Sequence, residues 1–321
     1  MSDDIHGLVL GGTKNVFAVE CEDGLVRECA IKGKVLKSAT GYYNALAPGD
    51  EVILDAASME DEWALITSLV PRKNEFVRWN VKKRLPQVLA ANLDYLLIVT
   101  TPCEPEFKPR FVDRTLAQAE AEHIEPVVVC NKYEMADSDV FLEHLEVWES
   151  IGYKVIRSSA KTGEGIEEMA NFIEGKTCAF VGKSGVGKSS IINVLDNNVV
   201  LKTGSLSRKY GKGTHTTTKG ELFHLQLNEA LVGGRKDAIA SIIDTPGVKN
   251  FLLYGITPAN LELYYREFAP FLGKCEFSSC THLCEKGCAI IRATEDGTIS
   301  RSRYESFCKT RENLTRGILA E

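Results

Sequence analysis

Residues 182–189 read Gly-Lys-Ser-Gly-Val-Gly-Lys-Ser, the complete G-x-x-x-x-G-K-[ST] pattern. The apolar stretch Cys178–Val181 precedes it and the apolar, helix-forming stretch Ile191–Leu195 follows it. This is the strand–loop–helix setting that gives the pattern its meaning. Glycines let backbone N–H groups close around a phosphate without Cβ clashes, and the helix contributes its positive N-terminal end. The expected phosphate contacts are Gly182, Lys183, Ser184, Gly185, Val186, Gly187, Lys188, Ser189 and Ser190, with Lys188 reaching the β- and γ-phosphates and Ser189 ligating Mg²⁺. A plain glycine turn is the alternative, and it requires none of that context.

Downstream, Asp244-Thr245-Pro246-Gly247 follows the apolar run Ala240–Ile243. A carboxylate at a strand end after a phosphate loop suits the Mg²⁺ shell, and Gly247 suits a backbone amide facing the γ-phosphate. Upstream, Asn131-Lys132-Tyr133-Glu134 follows an apolar run at 126–130, and Ser159-Ala160-Lys161 follows one at 153–157. Both resemble the guanine-reading N-K-x-D and S-A-K motifs of translation-factor-like GTPases. The acidic side chain accepts from guanine N1–H and N2–H₂, groups that adenine does not present there. Glu134 stands where Asp is usual, which keeps the acceptor and lengthens its reach by one methylene.

Residues 203–219 are rich in Gly, Ser, Thr and Lys and lack apolar periodicity. They read as a long switch loop, in which a Thr hydroxyl completes the Mg²⁺ shell. Thr217 is the first choice within Thr216–Thr218. Many GTPases place a water-orienting glutamine directly after D-x-x-G, but here that residue is Val248. His215 is the loop residue able to accept a proton from water. The alternative is a loop histidine with no catalytic part.

Around these motifs the chain alternates strand and helix from about residue 90. Strands are expected at 96–99, 126–130, 153–157 and 177–181, and helices near 110–122, 139–150 and 164–174. That alternation predicts a mostly parallel sheet covered by helices, with ligands at the carboxyl ends of its strands. Residues 1–77 read differently. Short runs at 6–11, 14–21, 25–31, 51–55 and 62–70 are separated by turn signals such as Asp23-Gly24 and Pro48-Gly49-Asp50. Five short strands predict a small closed barrel, OB-type first and SH3-like almost equally. Beyond residue 255, helical pattern alternates with a cysteine-rich loop.

The 321 residues have 44% hydrophobic content and a net charge of −6. Two or three packed domains are expected and a disordered chain is excluded. Residues 1–77 carry 7 basic and 13 acidic side chains, so no bulk basic charge binds nucleic acid. Arg72, Lys73, Arg78, Lys82, Lys83 and Arg84 form a local basic patch, read either as an RNA contact or as a solvated linker. No apolar run approaches the ~20 residues of a membrane helix. The N-terminal MSDDIHG lacks signal-peptide character, so a cytoplasmic protein without membrane contact is expected. Ten cysteines there read as thiols or metal ligands rather than disulfides. Four of them, with one His, crowd into residues 275–288, Cys-Glu-Phe-Ser-Ser-Cys-Thr-His-Leu-Cys-Glu-Lys-Gly-Cys, a composition suited to a tetrahedral Zn²⁺ site.

The base-reading motifs come before the phosphate loop, the reverse of the usual order, and this is a circular permutation. Together with the preceding barrel and the cysteine cluster, the order resembles the ribosome-small-subunit-dependent GTPase A family along essentially the whole chain. Pro48–Val52, Pro71–Asn74, Gly213–Thr218 and Cys275–Cys288 carry the resemblance further. It implies a multidomain α/β protein with an OB-type barrel (1–77), a circularly permuted P-loop GTPase domain (78–254) and a helical zinc-binding domain (255–321). The family pattern C-x₄-C-x-H-x₅-C falls on Cys275, Cys280, His282 and Cys288, leaving Cys284 spare and implying one structural Zn²⁺ besides the Mg²⁺ bound with GTP. It favours the catalytic reading of His215. It also implies GTP hydrolysis stimulated by the small ribosomal subunit late in that subunit's maturation, contact with its rRNA, and a monomer. Two other readings are a permuted GTPase acting on another RNA or a signalling partner, and a nucleic-acid-binding module with a degenerate nucleotide site. Intact Lys188, Ser189 and Asp244 argue against the last.

Overall fold

The computed structural model describes residues 4–13, 15–33, 36, 41–196, 220–245 and 252–317. At the N-terminal end β1 (Ile5–Thr13), β2 (Val16–Cys21), β3 (Val26–Ile31), β4 (Glu51–Leu54) and β5 (Ala64–Leu69) close into a barrel in the order β1-β2-β3-β5-β4. Alternation sets its inside. Phe17, Val19 and Cys21 of β2 point inward and pack on Val9, Cys29, Val52, Leu54 and Ile66. The β3–β5 pair is parallel, Cys29 opposite Ala64, which gives the crossed Greek-key connectivity of an OB-type barrel. The SH3-like alternative does not describe this closure.

A hairpin absent from the sequence reading follows: β6 (Glu75–Asn80) and β7 (Leu85–Ala91), with Val77 opposite Val88. The expected domain boundary after residue 77 falls inside β6. The barrel and hairpin meet at a partly buried ion cluster. Arg72 donates to Asp50 through Nε (2.7 Å) and Nη2 (2.9 Å) and to Glu75 through Nη1 (2.6 Å), while the Tyr42 hydroxyl donates to Glu75. The basic patch read from the sequence is therefore divided. Arg72 is half-buried against its acids, Lys73 pairs with Asp94 at 3.0 Å while staying exposed, Arg78 bonds Gln87, and Lys82, Lys83 and Arg84 stand exposed at the hairpin turn.

The middle of the chain builds a six-stranded sheet from β8 (Tyr95–Thr100), β9 (Glu125–Cys130), β10 (Lys154–Arg157), β11 (Thr177–Val181), β12 (Glu221–Gln226) and β13 (Ile239–Asp244). The spatial order is β10-β9-β8-β11-β13-β12, and every pair is parallel except β12 with β13. Both faces are covered, so the inner strands are apolar almost throughout. Leu96, Ile98 and Val128 face α1 (Pro109–Ala121) and α2 (Asp139–Ser150). Leu97, Val99, Val127 and Val129 face α3 (Ile166–Ile173) and α4 (Lys188–Leu195). The chain runs outward from β8 to β10, returns through α3 to the centre at β11, and ends on the other side. That path places loops early in sequence beside the phosphate loop.

At the C-terminal end two 3₁₀ turns, Leu261–Tyr264 and Arg266–Phe271, precede α5 (Ala289–Glu295) and α6 (Arg301–Thr315). Leu261, Tyr265, Phe268, Ile290 and Phe307 form their core, which takes in Ala117 of α1. Polar contacts bind this unit to the sheet domain. Fully buried Arg303 donates to Asp113 of α1 and, at 2.7 Å, to Glu267, and Arg266 donates to Glu125 at 2.9 Å. Among the described residues, no helix is long and apolar enough to cross a membrane.

Candidate nucleotide site and metal centre

The five parallel strands end along one edge, and the motifs read from the sequence follow them there. Two glycines of the phosphate loop are dictated by contact. A Cβ on Gly182 would lie 2.6 Å from the Val99 carbonyl oxygen. Gly187 has φ of +91°, and a Cβ there would lie 2.2 Å from Asn131 Nδ2. Lys188 opens α4 and is buried. Its ammonium folds back over the loop, donating to the carbonyls of Gly182 (2.9 Å) and Lys183 (3.3 Å). Burial lowers its pKa and the Asp244 carboxylate opposes that shift. Lys183 lies over the Phe111 ring at 5.7 Å. Ser189 and Ser190 are half-buried in the first turn of α4, while Ser184 and Gly185 are exposed at the loop's tip.

Asn131 joins three segments. Its Nδ2 donates to the Val186 carbonyl at 2.8 Å, its Oδ1 accepts from Ala160 N–H at 3.1 Å, and its own N–H donates to the Thr100 carbonyl at 2.9 Å. Buried amide groups require such partners. Removing any of the three segments would strand one of them. Ser159 is buried, and its Oγ accepts from Thr162 N–H at 3.0 Å, shaping the turn that presents exposed Lys161. Lys132 takes a left-handed backbone, φ +60°, and its ammonium donates to the Glu104 carbonyl. Glu134 projects, exposed, from the 3₁₀ turn Tyr133–Met135.

Asp244 ends β13. Burial pushes its carboxyl up to about 7, with Lys188 pulling the other way, and its Oδ1 has no hydrogen-bond partner among the described residues. A buried, unsatisfied carboxylate oxygen close to the start of α4 fits the hydrated Mg²⁺ of a bound nucleotide. Thr245 turns away, its Oγ1 donating to the Phe180 carbonyl at 2.7 Å. His215, Thr217 and Gly247, with Val248, lie outside the described residues.

The second centre lies between the 3₁₀ turns and α5. The ligand atoms of Cys275, Cys280, His282 and Cys288 all lie within 4.8 Å of one another. His282 Nδ1 is 3.5 Å from Cys275 Sγ and 3.3 Å from Cys288 Sγ, and those sulfurs are 3.9 Å apart. Two sulfurs bound at ~2.3 Å in a tetrahedron lie about 3.8 Å apart, so the spacing suits one tetrahedral cation. The donor chemistry agrees. Ala289 N–H and Ile291 N–H point at Cys275 Sγ and Cys288 Sγ, as they would to thiolates. Burial and the neighbouring sulfurs push the Cys280 thiol up to about 12, and a bound cation reverses that.

Two residues missed in the sequence complete this centre. Glu262 accepts from His282 Nε2 at 2.9 Å, which leaves Nδ1 as the ligand atom. Glu285 accepts from the N–H groups of Thr281 (2.7 Å), Leu283 (3.0 Å) and Cys284 (3.1 Å). Partial burial opposes its ionisation, but the Thr281 hydroxyl and the N–H groups of Thr281 and Cys284 hold its carboxyl well below the usual range. Neither residue stands in a motif. Cys284 is exposed and outside the cluster, and no cysteine of the chain is in a disulfide. Metal analysis should therefore find one equivalent retained in Cys284→Ser and lost in Cys288→Ser; the opposite result would overturn this ligand set.

The comparisons with known proteins agree with this arrangement. The sequence profile of the RsgA GTPase family matches residues 69–254. The chain is 38% identical over 322 residues to the small ribosomal subunit biogenesis GTPase RsgA of Chlorobaculum parvum, covering 98% of this chain and 99% of that one. It is 36% identical to its counterpart in Borreliella burgdorferi, covering 95% of each. YjeQ from Thermotoga maritima superposes with a TM-score of 0.73 at 30% identity, over 97% of this chain and 99% of that one. The fold also matches YloQ, a circularly permuted GTPase, with a TM-score of 0.69 at 21% identity over 98% and 96%. With its Asn131–Glu134 and Ser159–Lys161 loops ahead of the Gly182–Ser189 loop and joined to it by Asn131, the chain belongs to the RsgA GTPase family.

Proposed function

We propose that the protein hydrolyses GTP to GDP and phosphate at the edge of the six-stranded sheet, and that it does so on the small ribosomal subunit during late maturation. The observation that carries this is the single buried Asn131 side chain bonded both to the phosphate loop and to the Ser159–Lys161 turn. Base reading and phosphate binding thus share one rigid support. In this reading Asn131, Lys132, Glu134 and Ser159–Lys161 hold guanine, and Gly182–Ser190 with Lys188 hold the phosphates. Ser189, Thr217 and Asp244 would hold Mg²⁺, which when bound offsets charge on the phosphate oxygens. Gly247 presents its amide to the γ-phosphate.

His215 takes the proton of the attacking water, because Val248 cannot. His215→Ala should keep GTP affinity and lower turnover by about 10²-fold; unchanged turnover would remove it from the reaction. Glu134→Ala should weaken GTP by about 1–3 kcal/mol and leave ATP unchanged in a competition assay.

The cluster at Cys275, Cys280, His282 and Cys288 takes one structural Zn²⁺, since four protein ligands leave no position for water. The working units are an OB-type barrel at 1–77, the permuted GTPase domain at 78–254 and the zinc-binding domain at 255–321. The protein acts in the cytoplasm as a monomer, touching the subunit's rRNA. The relatives named above support the subunit as partner, through the function stated in their names. The deciding experiment is GTP turnover with and without purified small ribosomal subunits. Stimulation is expected, and none would favour a permuted GTPase with a different partner.

A further inference from the structure

A buried glutamine on α1 makes contacts that the nucleotide reading does not use. Gln118 Nε2 donates to the Tyr254 carbonyl at 3.0 Å, and its Oε1 accepts from the Tyr254 N–H at 2.8 Å. These are the two bonds a neighbouring strand would supply, made across 136 residues of sequence. The same Nε2 donates to Glu122 at 2.9 Å, and Glu122 accepts from the Val77 N–H of β6 at 3.0 Å. The Tyr254 ring stacks on Trp79, with centroids 6.4 Å apart and planes 9° apart. Gln118 is fully buried, so an amide left without partners here would be costly.

The place of this clamp gives it meaning. Tyr254 lies ten residues after Asp244 and seven after Gly247. The helix that holds it also carries the zinc-binding unit, through Asp113–Arg303 and through Ala117 in that unit's core. At its first turn the same helix places Phe111 under Lys183 of the phosphate loop. Reacting groups lose rate steeply when they are misplaced.

We propose that Gln118 is a positioning residue for GTP hydrolysis. By holding both backbone groups of Tyr254 it ties the chain ten residues after Asp244 to the helix that bears the zinc-binding unit, so that docking of that unit is felt at the reacting phosphate. Linkage makes the effect reciprocal. The proposal rests on the GTPase reading given above.

The test is Gln118→Met, which is close in volume and lacks both bonds. The variant should lower kcat for GTP by about 10–100-fold with KM within about twofold, and should lose stimulation by small subunits in the same proportion. A folded variant with parental kcat overturns the proposal. Equal changes in kcat and KM also overturn it, because they would report general loosening. Hydrogen exchange on the parent protein covers the case in which the variant does not fold. The Tyr254 amide should be as protected as the amides of α1, and exchange at an unprotected rate overturns the clamp. A parent protein that turns over no GTP refutes the nucleotide reading instead, which separates the two failures.

Discussion

Exchanging Lys188 for alanine is expected to lower GTP turnover by about 10²–10³-fold, the usual cost of removing a preorganised charge from a reacting centre. The expectation follows from where the ammonium sits. It is buried, and its hydrogen-bond partners among the described residues are two carbonyls of its own loop. Neutral carbonyls compensate a buried cation poorly. Phosphate oxygens compensate it better, and best when charge builds on them in the transition state. Lys188→Arg should not restore activity, because the planar guanidinium does not fit the space an ammonium occupies beneath Gly182. Single-turnover measurements at saturating GTP and Mg²⁺ separate this from weaker binding. Turnover within about threefold of the parent would exclude Lys188 from the chemistry.

The largest expected change in stability is at Arg303. Arg303→Met should cost about 3–5 kcal/mol, the range for removing one partner from a buried ion pair. Asp113 and Glu267 are 2% and 8% exposed at the side chain, so both carboxylates would be left in a dry site. Among the described residues, Asp113 would keep the Trp148 indole N–H, at 2.8 Å, as its donor. The guanidinium also lies over the Tyr265 ring at 4.6 Å, a contact methionine replaces only in part. Denaturant unfolding followed by tryptophan fluorescence reads the effect through Trp148. Adding Asp113→Asn should recover part of the loss, since it removes one stranded charge. A loss below about 1 kcal/mol would mean the cluster behaves like a surface pair.

Those two sites differ in how visible they were from the sequence. Lys188 stands in a motif visible from its spacing alone. Arg303 stands in an unremarkable polar helix, and its partners lie 190 and 36 residues away. The strands β8, β9 and β11 were legible because burial on both faces makes them continuous apolar runs. The six-residue β12 carries no such run, because an edge strand exposed on one side opens on Glu221 and sets His224 between its apolar residues. The β6–β7 hairpin is hidden by the charges in and before it: Arg72, Lys73 and Arg78 suggest a linker, although Arg72 is held by Asp50, an acid that only the fold brings to it. At the metal centre, the crowding of Cys and His was legible and the orienting Glu262 was not, since nothing local marks a carboxylate 20 residues upstream of its histidine.

The return of the chain to the middle of its own sheet has a consequence for synthesis. A growing polypeptide makes β8, β9 and β10 first, and they can pair as they emerge. The inner side of β8 then has no neighbour until β11 has been made, about 80 residues later in the chain. During that interval a nearly continuous apolar strand, Leu96–Val99, presents an open hydrogen-bonding edge to the cell. The face of α1 around Asp113 and Ala117 waits longer still, because Arg303 and the core that covers Ala117 lie in the last 70 residues. Insertion of β11 covers that edge, and the far side of β11 then waits in turn for β13; a nascent chain stalled before β11 is the form of this protein most exposed to aggregation and to chaperones.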